Sequence, residues 1–425
     1  MSQSPDKPTP SSLRVSDLHG LSRLAVHGVT ETVGLVEEMH YTISRISAPV
    51  GRVPPGRTRG ITGLVYRSIR GVTGLVGGSI ELAFERLAPE ASSQDDSPRR
   101  QSTIAILNGV LGDHLDATAN PLAIPMRLRH RGRALALDAG ALSHAIEAPS
   151  PRLLIAIHGL CLADSCWGNP GEQTGEPAVD QQAEKPGNQP IDPPVICLPE
   201  AVARENGYTV LHLHYNTGRS IAANGRELTG LMEQLVDQWP VAVEEVALLG
   251  HSMGGLVSRS ACHYADENDH RWPERLRRMV FLGTPHLGSP LERAGHVVDR
   301  LLNISPYSAP FHRLGRIRST GITDLRHGRI VDPVAEPDQS SIRAFLPDHV
   351  DLHAIAATRS KHIDRPIGRL IGDGLVPIAS ALGHHPDPDL RLPIPTEYQR
   401  ILPATSHIGL LHHPQVLETL NDWLR

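Results

Sequence analysis

From residue 125 onward, short apolar runs alternate with segments of helical periodicity. The runs at 133–138, Leu153–Ile157, Thr209–His214, Val246–Leu249, Met279–Leu282, Leu352–Ala357 and Tyr398–Leu402 predict strands. Apolar residues at three- and four-residue steps predict helices over Ser220–Gln238, Met253–Tyr264 and Pro414–Leu424. Strands that alternate with helices predict a mostly parallel central sheet with helices on both faces, built from residues 125–425. Two stretches interrupt the alternation and read as insertions. Residues 168–195 are rich in Gly, Pro, Gln and Glu, and residues 289–350 carry a helical pattern around Leu291–Ile304.

The first 118 residues have a different texture. Residues 1–20 are polar and read as a disordered tail, and residues 21–118 read as a helical N-terminal extension. Within it, Arg59–Ile69 and Arg70–Ile80 form an 11-residue tandem repeat, Arg-Gly-Ile/Val-Thr-Gly-Leu-Val followed by Ser-Ile at its end. Eleven residues make three helical turns, so Leu64 and Leu75 return to one face, in a stripe with Ile61, Ile69, Val72 and Ile80. Six glycines from Gly60 to Gly78 weaken such a helix in water, by about 1 kcal/mol each relative to Ala. The segment therefore needs a surface. An anionic membrane suits an apolar stripe beside Arg59, Arg67 and Arg70; packing on its own domain or on a second subunit is the simpler alternative. Residues 89–102 read as a polar linker, followed by a helix from Thr103 to about Thr118.

Composition narrows the function classes. With 41 Lys+Arg against 46 Asp+Glu, the net charge is −5, which argues against a globally basic nucleic-acid binder. The N-terminus lacks the basic-then-apolar pattern of an export signal, and four cysteines do not make a disulfide framework. The expectation is a cytoplasmic protein, free or peripheral at the inner membrane surface. Cys161, Cys166 and Cys197 fit no zinc spacing and read as plain thiols, so no metal is expected.

The sharpest chemical signal is Gly250-His-Ser-Met-Gly254, entered from a predicted strand and left by a predicted helix. A serine on a tight strand-to-helix turn points its hydroxyl into a cleft, and the helix N-terminus behind it favours developing negative charge. Ser252 is the candidate nucleophile. The strand ending in His158-Gly159-Leu160 supplies a second candidate, the Leu160 backbone N–H, which with the N–H of Met253 forms an oxyanion hole. A serine hydroxyl needs an imidazole, and the imidazole needs a carboxylate. Asp373 sits on a Gly-Asp-Gly turn, with Asp364 in reserve, and His407 lies on the loop between the last strand and the last helix. His286 in Gly283–Ser289 reads as structural.

These motifs, in this order, resemble the α/β-hydrolase superfamily over residues 125–425, and most closely its bacterial triacylglycerol-lipase branch and the GPI inositol-deacylase-like proteins. The resemblance implies a serine hydrolase that cleaves acyl esters, lipids among them, through an acyl-serine intermediate, with Ser252, Asp373 and His407 as the triad and no cofactor. Acyl transfer, thioester cleavage and polyester depolymerisation share that intermediate. A non-catalytic scaffold at a membrane surface is the contrasting class. If residues 59–80 bind a membrane, deletion of residues 1–100 will release the protein from anionic vesicles in a sedimentation assay. Binding that survives the deletion or ignores lipid charge would refute membrane contact.

Overall fold

The computed structural model describes residues 16–17, 19–28, 98–168, 196–288, 319–332, 345–363, 372–388 and 391–425. The 59–80 repeat, residues 169–195 and the helical pattern at Leu291–Ile304 lie outside the described residues. Two compact units divide the chain, Met1–Ser97 with Leu115–Ala123, and Pro98–His114 with Ile124–Arg425.

In the smaller unit, residues 19–28 are helical, so the helix reaches into the stretch expected to be a tail. Arg23 donates to the carbonyls of Thr118 and Ala119 at 2.7 and 3.0 Å, just past a helix end. Asn120 donates to Gly20 O at 3.1 Å.

The larger unit holds an eight-stranded sheet of order β2-β1-β4-β3-β5-β6-β7-β8. Its strands are β1 Arg127–His130, β2 Arg133–Ala134, β3 Arg152–Ile157, β4 Thr209–His214, β5 Glu245–His251, β6 Leu276–Leu282, β7 Asp351–Ala357 and β8 Gln399–Leu402. The β1–β2 and β1–β4 pairs are antiparallel, and β4 to β8 run parallel. The helices are α1 Pro98–Ala117, α2 Ala139–Ala145, α3 Leu198–Asn206, α4 Ile221–Gln238, α5 Met253–Glu267, α6 Thr320–His327, α7 Ile378–Ala381 and α8 Pro414–Trp423. Alternate residues of each strand enter opposite layers. Leu153, Ile155 and Ile157 pack with Leu228, Met232 and Val257 of α4 and α5, whereas Leu154 and Ala156 pack with Val202 and Leu420 of α3 and α8. This is an α/β-hydrolase fold, as expected. Register aligns the strand ends: Gly250 pairs with Ile157, His251 with Leu282, and Ala357 with Leu402.

Three expectations are corrected. The strand read at 133–138 stops at Ala134, because the Asp138 side chain accepts the Ala141 N–H at 2.8 Å and caps α2. The linker read at 89–102 gives way to α1, which begins at Pro98. The domain border read at 118–125 is also displaced, since α1 up to His114 belongs to the unit that holds the sheet. Polar bonds hold it there. Asn108 Oδ1 accepts the Ile124 N–H at 2.9 Å, Asn216 donates to Gly112 O at 2.9 Å, and Ser319 Oγ donates to Gly109 O at 2.6 Å. Among the described residues, no helix is long and apolar enough to cross a membrane.

Helix α6 belongs to the second insertion and is fastened by a costly group. Asp324 is buried and accepts the Ile221 N–H at 3.0 Å, and burial pushes its carboxyl up to about 6 against that bond and the charge of Arg329. A carboxyl in an unfolded chain titrates at about 3.9. The folded state thus binds the proton more tightly, and stability falls as pH rises from about 4 to 6. Asp324→Asn keeps an acceptor oxygen and removes the charge. It should raise the calorimetric Tm by a few degrees at pH 8 and leave it near wild type at pH 4.

Candidate active site

Strand β5 is buried along almost its whole length and ends at His251. Ser252 follows with φ 54° and ψ −122°, a conformation that costs a non-glycine residue about 1–3 kcal/mol. Its N–H donates to Leu282 O at 2.8 Å, and α5 begins at the next residue. The turn is tight because the helix start presses on β3: a Cβ on Gly254 would lie 2.2 Å from Ile157 O. The helix N-terminus points its partial positive charge at the elbow.

Asp373 and His407 meet beyond the ends of β7 and β8. His407 Nδ1 lies 2.7 Å from Asp373 Oδ2, with both side chains almost fully buried. The other carboxylate oxygen, Oδ1, accepts the N–H groups of Leu375 and Val376 at 2.9 and 2.8 Å. The two loops are also joined through backbone, His407 N–H to Asp373 O at 3.2 Å. A carboxylate only accepts, so His407 Nδ1 carries the hydrogen and Nε2 keeps its lone pair for a base's work.

Two routes bring this pair to the elbow. Leu282, which accepts the Ser252 N–H, is followed by Gly283 at φ 57°, and a Cβ there would lie 3.1 Å from His407 Nδ1 and 3.2 Å from Asp373 Oδ2. On the other side, His251 Nε2 lies 3.1 Å from His407 O. Among the described residues no hydrogen bond joins Ser252 Oγ to His407 Nε2; such contacts are commonly long in unliganded enzymes and tighten with substrate.

The loop after β3 reaches the same elbow, since a Cβ on Gly159 would lie 2.9 Å from Ser252 Cβ. Among the described residues neither the Leu160 nor the Met253 N–H has a hydrogen-bond acceptor. The loop is fixed by groups that sequence reasoning missed. Cys161, at φ 60°, donates its N–H to Thr217 Oγ1 at 3.2 Å. Asp164, at the start of the next turn, is bound by Arg129 Nη1 and His214 Nδ1, each at 2.9 Å. Burial alone would push the Asp164 carboxyl up, but the His214 bond and the His214 and Arg129 charges hold it well below the usual range. No motif spacing signals these partners, which lie on separate strands and loops.

The neighbouring histidines are structural in their contacts. Burial pushes His158 down to about 4, so it is neutral, and its ring lies 4.6 Å from that of Tyr215. His286 is also buried and accepts from Arg259 Nη1 at 3.4 Å. Beside the elbow, Ile322 of α6 packs against Leu160 and Leu375, and Ile408, next to His407, is 46% exposed.

Residues 200–370 match the PGAP1-like alpha/beta domain family, a span that includes Ser252 and ends before Asp373 and His407. Among solved structures, the chain is similar to a Bacillus licheniformis lipase in mature form, at 18% identity and TM-score 0.40, covering 66% of this chain and 95% of that one. A thermophilic esterase from Thermogutta terrifontis is similar at 14% identity and TM-score 0.34, covering 72% of this chain and 96% of the other. A Pyrococcus furiosus esterase is similar at 14% identity and TM-score 0.37, with 65% and 84% covered. No curated protein matches the chain.

The position of Gly283 gives a direct test of the site's geometry. Gly283→Ala adds a Cβ against the His407–Asp373 pair at a positive φ and should lower stability by about 1–3 kcal/mol. It should also shift or abolish the low-field proton resonance of His407 Nδ1–H in NMR spectra. An unchanged resonance would show that Gly283 does not support the pair.

Proposed function

We propose that this protein is a serine hydrolase of carboxylic esters, with Ser252 as nucleophile, His407 as base and Asp373 as the carboxylate that orients it. The observation that carries the reading is the buried His407–Asp373 pair, bonded at 2.7 Å, beside a serine held at φ 54°. In the reaction, Ser252 Oγ attacks the ester carbonyl while His407 Nε2 takes its proton. The carbonyl oxygen becomes an oxyanion between the N–H groups of Leu160 and Met253, where one such donor is worth about 3 kcal/mol. His407 then gives its proton to the leaving alcohol, and the acyl-serine remains. Water, deprotonated by the same nitrogen, attacks the acyl carbon; the bond to Ser252 Oγ breaks, His407 returns the proton to that oxygen, and the acid leaves. Asp373 holds the ring in place and stabilises the imidazolium that forms. These steps call for no metal or cofactor.

The aliphatic surroundings support an ester whose acyl part is apolar. Leu160 carries the proposed oxyanion N–H, Leu375 donates its N–H to Asp373, and Ile322 packs against both. Hydrocarbon placed there leaves water without stranding a polar group.

Ser252→Ala should cut turnover of p-nitrophenyl butyrate by about 10⁴-fold or more and abolish labelling by a fluorophosphonate, with an unchanged circular dichroism spectrum. Wild-type turnover in the variant would sink the proposal.

A further inference from the structure

His251 closes β5 one residue before Ser252 and is fully buried, yet no step of the proposed reaction passes a proton through it. Its Nε2 lies 3.1 Å from His407 O, and since a carbonyl only accepts, Nε2 carries the hydrogen. Its ring lies 4.7 Å from the His407 ring, tilted by 45°, and 6.4 Å from that of Trp167. The other nitrogen, Nδ1, is buried without a hydrogen-bond partner among the described residues and faces Gly159, where a Cβ would lie 3.1 Å away. Burial, together with the imidazoles of His407, His158 and His412, keeps the ring uncharged.

The arrangement costs free energy. A buried ring nitrogen without a partner forfeits its hydration, and an apolar ring of similar size would fill the same space without that loss. The return is a single bond. Apart from bonds within residues 403–411, the other backbone hydrogen bonds of the 403–408 loop run to Ser360, Thr358 and Asp373, and among the described residues none of them reaches β5. The His251 bond is the loop's tie to the strand that carries the nucleophile.

Resting on the serine-hydrolase reading above, we infer that His251 is a positioning residue: its Nε2–H ties the His407 carbonyl to β5 and so sets the separation of the base from Ser252. The path is short and stiff. It consists of the peptide between His251 and Ser252, one imidazole, one hydrogen bond and the His407 backbone. The same ring backs Gly159, so base loop and oxyanion loop are registered against one side chain.

The test compares His251→Phe, which keeps a ring and deletes the donor, with His251→Gln, which restores an N–H. For p-nitrophenyl butyrate, His251→Phe should lower kcat by about 10- to 100-fold with little change in KM, as a misplaced base does. The rate of fluorophosphonate labelling should fall in parallel, and His251→Gln should recover most of both. A packing role alone would give equal losses in the two variants, and wild-type kcat in His251→Phe would equally overturn the inference. Should His251→Phe fail to fold, ¹⁵N spectra of the wild-type imidazoles decide: Nε2-protonated His251 supports the tie, and Nδ1-protonated His251 overturns it. If the wild-type protein neither hydrolyses esters nor takes the label, the serine-hydrolase reading has failed, and the tautomer still reports on the tie.

Discussion

A carboxylate enclosed by protein must be given donors or it takes up a proton. Asp373 has three: the His407 Nδ1–H and the N–H groups of Leu375 and Val376. Those bonds do more than satisfy its oxygens. They hold the Gly-Asp-Gly turn in one conformation, and they fix which nitrogen of His407 bears the hydrogen. The base role proposed for His407 depends on that choice, because only the bare Nε2 can take a proton from a hydroxyl.

The sheet explains why such a pair forms beside Ser252. Parallel strands in register end together, and their following loops share one rim. Ser252 follows β5, Gly283 follows β6, Asp373 comes after β7 and His407 after β8. The strain at Ser252 is tolerated because β5 is paired on both sides and because the Ser252 N–H is bonded to the end of β6. Rigidity at the strand ends thus becomes placement of the side chains beyond them.

Much of this was legible in the sequence, for physical reasons that also set the limit. Strands β3 to β7 are covered on both faces, so they read as apolar runs, and the nucleophile turn announces itself because no side chain fits where Gly254 meets Ile157. Strand β1, Arg-Leu-Arg-His, has one apolar residue and lies towards the sheet's edge, so no pattern marks it. Asp164, Thr217 and His251 were silent because their roles arise from partners distant in the chain. His251 is the unspecified position of a Gly-x-Ser-x-Gly motif, in a chain with 24 histidines.

The least legible link runs through the residues first read as linker and extension. Helix α1 accepts the Ser319 hydroxyl at Gly109 O, and Ser319 in turn caps α6 by accepting the Ile322 N–H. Asp113 of α1 takes the N–H and hydroxyl of Thr320 at 2.9 and 2.8 Å, and Gly321 donates to Gly218 O at 3.0 Å. The first turn of α6 is therefore fixed at three successive residues, and Ile322, at the end of that series, meets Leu160 and Leu375. A segment more than a hundred residues upstream of Ser252 thus holds Ile322 against Leu160 and Leu375. A helix bonded in this way is part of the wall and not a loose flap. On the proposed reading, side-chain volume at Leu160, Ile322 and Leu375 bears on selectivity for the apolar part of an ester, because moving α6 aside would break the buried Ser319–Gly109 and Ile221–Asp324 bonds together.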